Sequence, residues 1–406
     1  MSDTIEALLS RGVTNVIDRA HLEERLHGDE TLRIKFGIDP TSQNVHIGWA
    51  VPFWKLKEFQ DLGHQIVLIV GDFTATIGDS SDKESERPML TREEVQENMR
   101  TYLEQISRIL DIEQCEVHYN SEWLSHLSFE EFAHLADIFS VAEMLDREAF
   151  SKRYHTGKRI SLREFMYPLM QGYDSLVTNA DVEVGGNDQY FNLMAGRRLQ
   201  KAHDVSPQDI VTFELLEGLD GRKMSGSYGN DIAITDAPAE MFGKAMAVND
   251  DLIIRYFRLA TGVTQKQIAE YQRRLDANEN PRNIKLELAE VLTRRYYGEE
   301  EANKAREEFI RVHSEQEHPE EVPELTFADE AWQRPLFQIV AEAFDISKTE
   351  ARRVVKDGGV NIADESVTDP HATLPEEGPV LVQKGKRHFV LLRRNEKPEA
   401  SKFDIR

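Results

Sequence analysis

Two runs mark the first part of the chain, the short apolar run Arg33–Ile38 (RIKFGI) and the nearly continuous apolar run Gln65–Val70 (QIVLIV). Parallel strands covered on both faces read this way. Each run ends on a turn signal, Asp39-Pro40-Thr41 after the first and Gly71 after the second. Between them, after His46-Ile47-Gly48, the stretch WAVPFWKLKEFQDLG is periodic like a helix and stops at Gly63. A further helix is predicted from Thr91, where Thr91 and Glu94 form a capping box. Val95, Met99, Leu103, Ile106 and Leu110 then recur at three- and four-residue spacing and lay one apolar stripe. Residues 115–119, 181–184 and 211–216 read as strands, the second ending at Gly185-Gly186, and residues 128–178 read as mostly helical. Strands alternating with helices give an α/β fold, a Rossmann-type doubly wound parallel sheet. Such sheets bind ligands at the carboxyl ends of their strands, so chemistry is expected in the turns after Ile38 and Val70.

The pattern changes further on. Residues 236–312 are helical and rich in charge, and 313–329 are acidic, with prolines and few apolar groups, as in a linker. A small α+β segment occupies 330–396, and 397–406 form a loose tail. The expected organisation is a catalytic domain over 1–235, a helical domain, a linker and a small C-terminal domain. A length of 406 residues suits several cores. No run approaches eighteen apolar residues, so no membrane span is expected. The start, MSDTIEALLSRG, lacks the basic and apolar regions of a secretory signal. The single cysteine, Cys115, allows neither an internal disulfide nor a cysteine-based zinc site and suits a reducing cytoplasm; no protein-bound metal is expected.

A net charge of −24 argues mildly against a polyanion partner. The C-terminal segment alters that balance, with nine Lys/Arg against seven Asp/Glu over 346–394. There Ser347 and Glu350 form a capping box, Lys348, Arg352 and Lys356 fall four apart on one helical face, Arg353 adds to it, and Gly358-Gly359 ends the helix. Lys384, Lys386 and Arg387 follow on a basic turn between strands.

Three other constellations carry chemistry. At the first strand-to-helix junction, Asp39, Thr41, His46 and Gly48 combine backbone N–H groups, an imidazole and a glycine that admits close approach, as a nucleotide phosphate requires. Taken alone, His46-Ile47-Gly48 is a three-residue match that an ordinary turn with a surface histidine explains better. Residues 221–230 (GRKMSGSYGN) form a glycine-rich loop with Lys223, able to close on a triphosphate and neutralise departing pyrophosphate. Tyr167, Gln171 and Asp174, spaced four and three apart, share one helical face, and a polar packing network accounts for them as well as a binding site does.

Taken together, HIG and KMS-x-S in this order and spacing resemble the two signature motifs of class I aminoacyl-tRNA synthetases. Nearly the whole chain is similar to the bacterial tyrosyl-tRNA synthetases, especially the subgroup with lysine-x-glycine-x-aspartate-proline-threonine before the first motif, here residues 35–41. The likeness implies ATP with Mg²⁺, tyrosine and tRNA(Tyr) as substrates, and a homodimer joined through an insertion around 125–165. Asp79, Tyr167 and Gln171 are then expected to hold the tyrosine ammonium, Asp174 the phenol hydroxyl and Gln189 the carboxylate, with Lys35 placed in the same group. Asp39, Thr41, His46, Gly48, Gly186, Asp188, Lys223, Met224, Ser225 and Ser227 are expected to bind ATP. His46, Lys223 and Gln189 are expected to act in catalysis, with Lys83 and Arg87 assisting at pyrophosphate. The C-terminal segment resembles an S4 RNA-binding domain, with Lys348, Arg352, Arg353, Lys356, Lys384, Lys386 and Arg387 toward RNA. Two positions depart from the motifs. Trp49 stands where a second histidine is usual and Gly226 where a second lysine is usual. Each lost donor can cost about 2.7–4 kcal/mol in the transition state. Three readings follow: a working ligase with shifted contacts, a paralogue activating tyrosine for another acceptor, and a catalytically weak RNA-binding protein. The intact set Asp79, Tyr167, Gln171, Asp174 and Gln189 favours the first.

Overall fold

The computed structural model describes residues 2–80, 89–314, 322–328, 332–363, 365–375, 378–385 and 388–395. The chain divides into two compact units, Met1–Arg306 and Glu307–Arg406. Residues 1–235 and most of 236–312 therefore share one unit.

The first unit is built on a six-stranded sheet: β1 (Val13–Ile17), β2 (Arg33–Ile38), β3 (Gln65–Val70), β4 (Glu116–Tyr119), β5 (Val182–Gly186) and β6 (Asp209–Phe213), in the order β1-β6-β5-β2-β3-β4. Five strands are parallel, as the apolar runs predict, and β1 closes one edge antiparallel to β6. The apolar residues of β2, β3, β5 and β6 are buried, and β3, apolar from Ile66 to Val70, is buried throughout that run. From β2 the chain winds outward through β3 and β4, then returns to the other side for β5 and β6. The direction of winding reverses between β2 and β5, and a crevice opens there at the carboxyl ends of the strands.

Helix α1 (Ile47–Asp61) follows β2 and packs Ile47, Phe53, Leu56 and Phe59 inward. The stripe predicted as one helix from Thr91 is instead two: α2 (Arg92–Met99), with the expected capping box, and α3 (Tyr102–Ile106). The chain breaks at Thr101 (φ −112°, ψ 2°). The break turns α3 toward the loop before α1, where Gln105 Oε1 accepts from Val45 N–H at 2.8 Å and Gln105 Nε2 donates to Gln43 C=O at 2.8 Å. Short helices fill residues 121–155 and lead into α4 (Leu162–Val177), whose first turn is fixed by a buried Arg153–Glu164 ion pair at 2.6 Å. Helix α5 (Tyr190–Ala202) packs against α4. Gly172 permits the close approach, since a Cβ there would stand 3.0 Å from the α5 backbone.

The second unit is a five-stranded sheet, β7 (Glu324–Ala328), β8 (Val360–Ile362), β9 (Glu365–Ser366), β10 (Val380–Lys384) and β11 (His388–Asn395), ordered β7-β11-β10-β8-β9. It packs on α6 (Leu336–Ala343) and α7 (Lys348–Lys356) around Trp332, Leu336, Val340, Val355, Val382 and Leu392. Part of the stretch read as linker is thus structural. Glu324–Ala328 pairs in parallel with β11, held by backbone hydrogen bonds and an Arg393–Glu324 ion pair at 2.7 Å. Only half of the expected capping box at Ser347 is made, with Ser347 Oγ accepting from Glu350 N–H at 3.2 Å. Among the described residues no helix is long and apolar enough to cross a membrane.

Candidate active site

A cavity of ≈ 710 Å³ occupies the crevice where the winding reverses. One end is built by α4. Tyr167, Gln171 and Asp174 all face it, as their spacing predicts. Asp174 is 3 % exposed and accepts from Trp123 Nε1–H at 2.7 Å and from Asn120 Nδ2–H at 3.2 Å. Burial pushes its carboxyl up to about 6, against the attraction of Lys35 and these two hydrogen bonds. Asn120 and Trp123 were not singled out from the sequence. Asn120 directly follows β4, so the rule that ligands gather at strand ends points to it.

The middle of the cavity holds Asp79, Gln189, Asp39 and Tyr167. Gln189 Nε2 donates to Asp79 Oδ2 at 2.7 Å and to Asp188 Oδ2 at 3.2 Å. Tyr167 O–H donates to Asp39 Oδ2 at 2.9 Å, leaving its oxygen as an acceptor toward the cavity. Burial, with Asp39 beside it, raises the Tyr167 phenol well above its ordinary range, so it stays a neutral donor. Thr74 Oγ1 donates to the other Asp39 oxygen at 2.8 Å. Gly71 is required here: a Cβ would lie 2.1 Å from Asp39 Oδ1 and 2.3 Å from Thr74 Oγ1. Gly71→Ala is expected to cost about 1–3 kcal/mol of stability, read by thermal unfolding.

At the other end the two sequence motifs meet. Ile47 N–H donates to Ile232 C=O at 2.9 Å and Ile234 N–H to Val45 C=O at 3.0 Å, which ties the start of α1 to the segment after the glycine-rich loop. Gly48 lies against Met224, and a Cβ at Gly48 would be 3.2 Å from Met224 Sδ. Asn230, 3 % exposed, fastens the loop internally through Ser225 N–H, Lys223 C=O and Asp220 Oδ1. Helix α1 presents His46 as its N-cap, with Nδ1 accepting from Trp49 N–H at 3.3 Å. Burial lowers the imidazole to about 4, so it is neutral, and with Nδ1 accepting, Nε2 carries the proton as a donor. Burial also lowers the Lys223 ammonium, while Asp79 attracts it. Thr41, Gly186, Asp188 and Ser225 line this part with Lys223 and His46.

Three expectations need correction or placement. Lys35 does not line the cavity. It is fully buried beneath it, with Nζ donating to Gln171 C=O, Ser175 Oγ and Glu183 Oε1 at 2.7–2.9 Å. Its position in a strand covered on both faces gives it a partner in the core rather than a ligand. Lys83 and Arg87 lie outside the described residues, as do Lys386, Arg387 and the side chain of Ser227. Trp49 does line the cavity, with its ring 5.5 Å from His46 and 6.3 Å from Tyr102. Gly226 is not demanded by packing, because a Cβ there meets nothing nearer than Asp231 Oδ2 at 3.7 Å. Asp231, missed in the sequence, lines the cavity and acts on His46 through its charge.

The arrangement is therefore an acidic cleft with a lysine and a neutral histidine at one end and a tight polar pocket at the other, the layout of an enzyme that joins an amino acid to a nucleotide. The family described as tRNA synthetases class I (W and Y) matches residues 27–314, and the chain belongs to that family. Within it, the chain is similar to tyrosine–tRNA ligases: it is 44% identical over 384 residues to that of Thermotoga maritima, covering 94% of this chain and 95% of that one. It is 42% identical over 394 residues to that of Oleidesulfovibrio alaskensis, covering 97% and 99%. Its fold matches that of a C-terminally truncated Aspergillus nidulans mitochondrial tyrosyl-tRNA synthetase with a TM-score of 0.61 and 21% identity, over 76% of this chain and 94% of that one.

Proposed function

We infer that the cavity activates L-tyrosine with ATP and passes it to tRNA(Tyr), so that the chain is a tyrosine–tRNA ligase. The observation that carries this reading is the single cleft joining the Asp174 pocket to the His46–Lys223 end. Asp174 accepts the hydrogen bond of the phenol, with Trp123 and Asn120 fixing its two oxygens. Asp79, the Tyr167 oxygen and Gln171 receive the ammonium, and Gln189 turns its amide to the carboxylate. That carboxylate attacks the α-phosphorus in line. A carbon-side oxygen–phosphorus bond forms, the bridging oxygen–phosphorus bond breaks, and pyrophosphate leaves. His46 Nε2–H and Lys223 meet the developing phosphate charge, and no covalent enzyme intermediate is needed. The 2′-hydroxyl of the terminal adenosine then attacks the adenylate carbonyl and releases AMP.

ATP enters as its Mg²⁺ complex, which suits a cleft lined by Asp39, Asp79, Asp188, Glu214 and Asp231 as well as Lys223. Lys83 and Arg87 assist at pyrophosphate. Residues 1–235 are the catalytic domain, and the helices around 125–165 form the homodimer contact. Phe129 (88% exposed), Val141, Leu162 and Met166 give that region an exposed apolar surface of the kind that a second copy covers. In the second unit, Lys348, Arg352, Arg353 and Lys356 stand exposed on α7, with Lys384 at the end of β10. They favour an S4-like role on the anticodon and long variable arms of the tRNA, by salt-sensitive binding. A reducing cytoplasm suits the lone Cys115, whose thiol burial pushes up to about 11 and so keeps unreactive. The test is aminoacylation with labelled tyrosine. The full chain is expected to charge tRNA(Tyr); exchange of pyrophosphate without any charging overturns the transfer step and favours another acceptor.

A further inference from the structure

We propose that Lys35 and Glu183, an ion pair buried beneath the tyrosine pocket, are positioning residues that set tyrosine affinity by fixing the Gln171–Asp174 face of α4 and by placing two opposed charges, Lys35 the nearer in effect, against Asp174. The inference rests on the ligase reading for its substrate.

The two residues sit side by side on β2 and β5, the strands between which the winding reverses, and both are 0% exposed. Lys35 Nζ meets Glu183 Oε1 at 2.9 Å. Its other two donors go to α4, to Ser175 Oγ at 2.7 Å and Gln171 C=O at 2.9 Å. Glu183 also accepts from Ser175 Oγ at 3.0 Å, from Gln171 Nε2 at 3.2 Å and from Gln208 Nε2. The pair therefore grips α4 at the residues on either side of Asp174, and it orients the Gln171 amide so that its carbonyl oxygen is left for a ligand.

Stability alone is a weak reason for this network. Desolvating two charges offsets most of their attraction, and apolar residues of similar volume usually hold two strands as well. What apolar residues cannot supply is a fixed positive charge under Asp174. The groups acting on Asp174 are Lys35 from β2, Glu183 from β5, Tyr167 from its own helix, and the neutral donors Asn120 and Trp123. After burial, which disfavours the carboxylate, Lys35 is the largest influence, and it favours the charged form; Glu183 opposes it more weakly. Removing one partner or the other is thus expected to displace Asp174 in opposite directions.

The experiment measures binding of L-tyrosine to the full chain by calorimetry from pH 5 to 8, beside ATP–pyrophosphate exchange. In the unsubstituted protein, affinity falls as pH drops through about 6, where Asp174 gains its proton. Lys35→Met is expected to weaken tyrosine binding by about tenfold or more near neutral pH and to move that fall to higher pH. Glu183→Gln is expected to move the fall to lower pH. If Lys35→Met does not fold, the direction of the Glu183→Gln displacement decides. Folded variants whose curves overlay that of the unsubstituted protein overturn the proposal. So do variants weakened by one constant factor at every pH. Tyrosine binding without exchange sinks the ligase reading instead and leaves this inference to the binding curves.

Discussion

Asp174→Ala is expected to lower kcat/KM for tyrosine in ATP–pyrophosphate exchange by about 10- to 150-fold, the 1.5–3 kcal/mol of a hydrogen bond to a charged group. Activity toward phenylalanine, which brings no hydroxyl, should change far less, so the ratio of the two falls by a similar factor. Alanine also strips the acceptor from Trp123 Nε1–H and from one Asn120 Nδ2–H, whose bond to Thr74 Oγ1 at 2.9 Å remains. Sites built around a substrate hydroxyl reject the analogue lacking it by ~10⁴–10⁵, a magnitude known from tyrosyl-tRNA synthetase itself. An unchanged tyrosine-to-phenylalanine ratio would show that the phenol is read elsewhere.

The same carboxyl links function to stability. Burial raises it from its ordinary 3.8 to about 6, so the folded chain holds this proton more tightly than the unfolded one. Between those values the folded state binds more protons, and stability falls as pH rises. Asp174 thus withdraws on the order of 3 kcal/mol by neutral pH. On the ligase reading proposed above, this cost of a buried carboxylate is what provides an acceptor for the phenol. Asp174→Asn has nothing to titrate. The unfolding free energy of the unsubstituted chain, measured relative to that variant in urea, should therefore decline from pH 4 to 7; a constant difference would refute the assignment.

Lys223→Ala is the second large effect. With Gly226 in place of a second lysine, Lys223 is the one lysine that lines the cavity among the described residues. Its loss should reduce kcat of exchange by about 10²–10³, the 2.7–4 kcal/mol of one stabilising donor removed from a transition state. KM for tyrosine should move much less, since the Asp174 pocket lies at the opposite end of the cleft. Equal losses in kcat and in tyrosine affinity would mean that Lys223 serves ground-state binding through Asp79.

The legible parts of this fold are those written locally. Arg33–Ile38 and Gln65–Val70 announce buried strands by composition, and the turns after them hold the site because parallel sheets place ligands there. The shared face of Tyr167, Gln171 and Asp174 follows from helical spacing alone. What escaped depends on contacts across long stretches of chain. Asn120 and Trp123 meet Asp174 from more than fifty residues away, and Asp231 reaches the cavity only through pairing of its segment with the start of α1. Strand β7 escapes because it is only five residues long and follows an acidic, proline-bearing stretch, and its pairing partner β11 lies more than sixty residues on. Lys35 is the instructive case. A lysine inside a doubly covered strand had to be paired, but its partner Glu183 lies 148 residues on, and without it the residue was assigned to the substrate.

The central claim is that this cleft selects and activates tyrosine despite Trp49 and Gly226. ATP–pyrophosphate exchange with the purified full chain, run in parallel with tyrosine, phenylalanine and tryptophan, tests it most directly. Exchange driven by tyrosine and by neither of the others is the predicted result; no exchange with tyrosine, or equal exchange with phenylalanine, contradicts it.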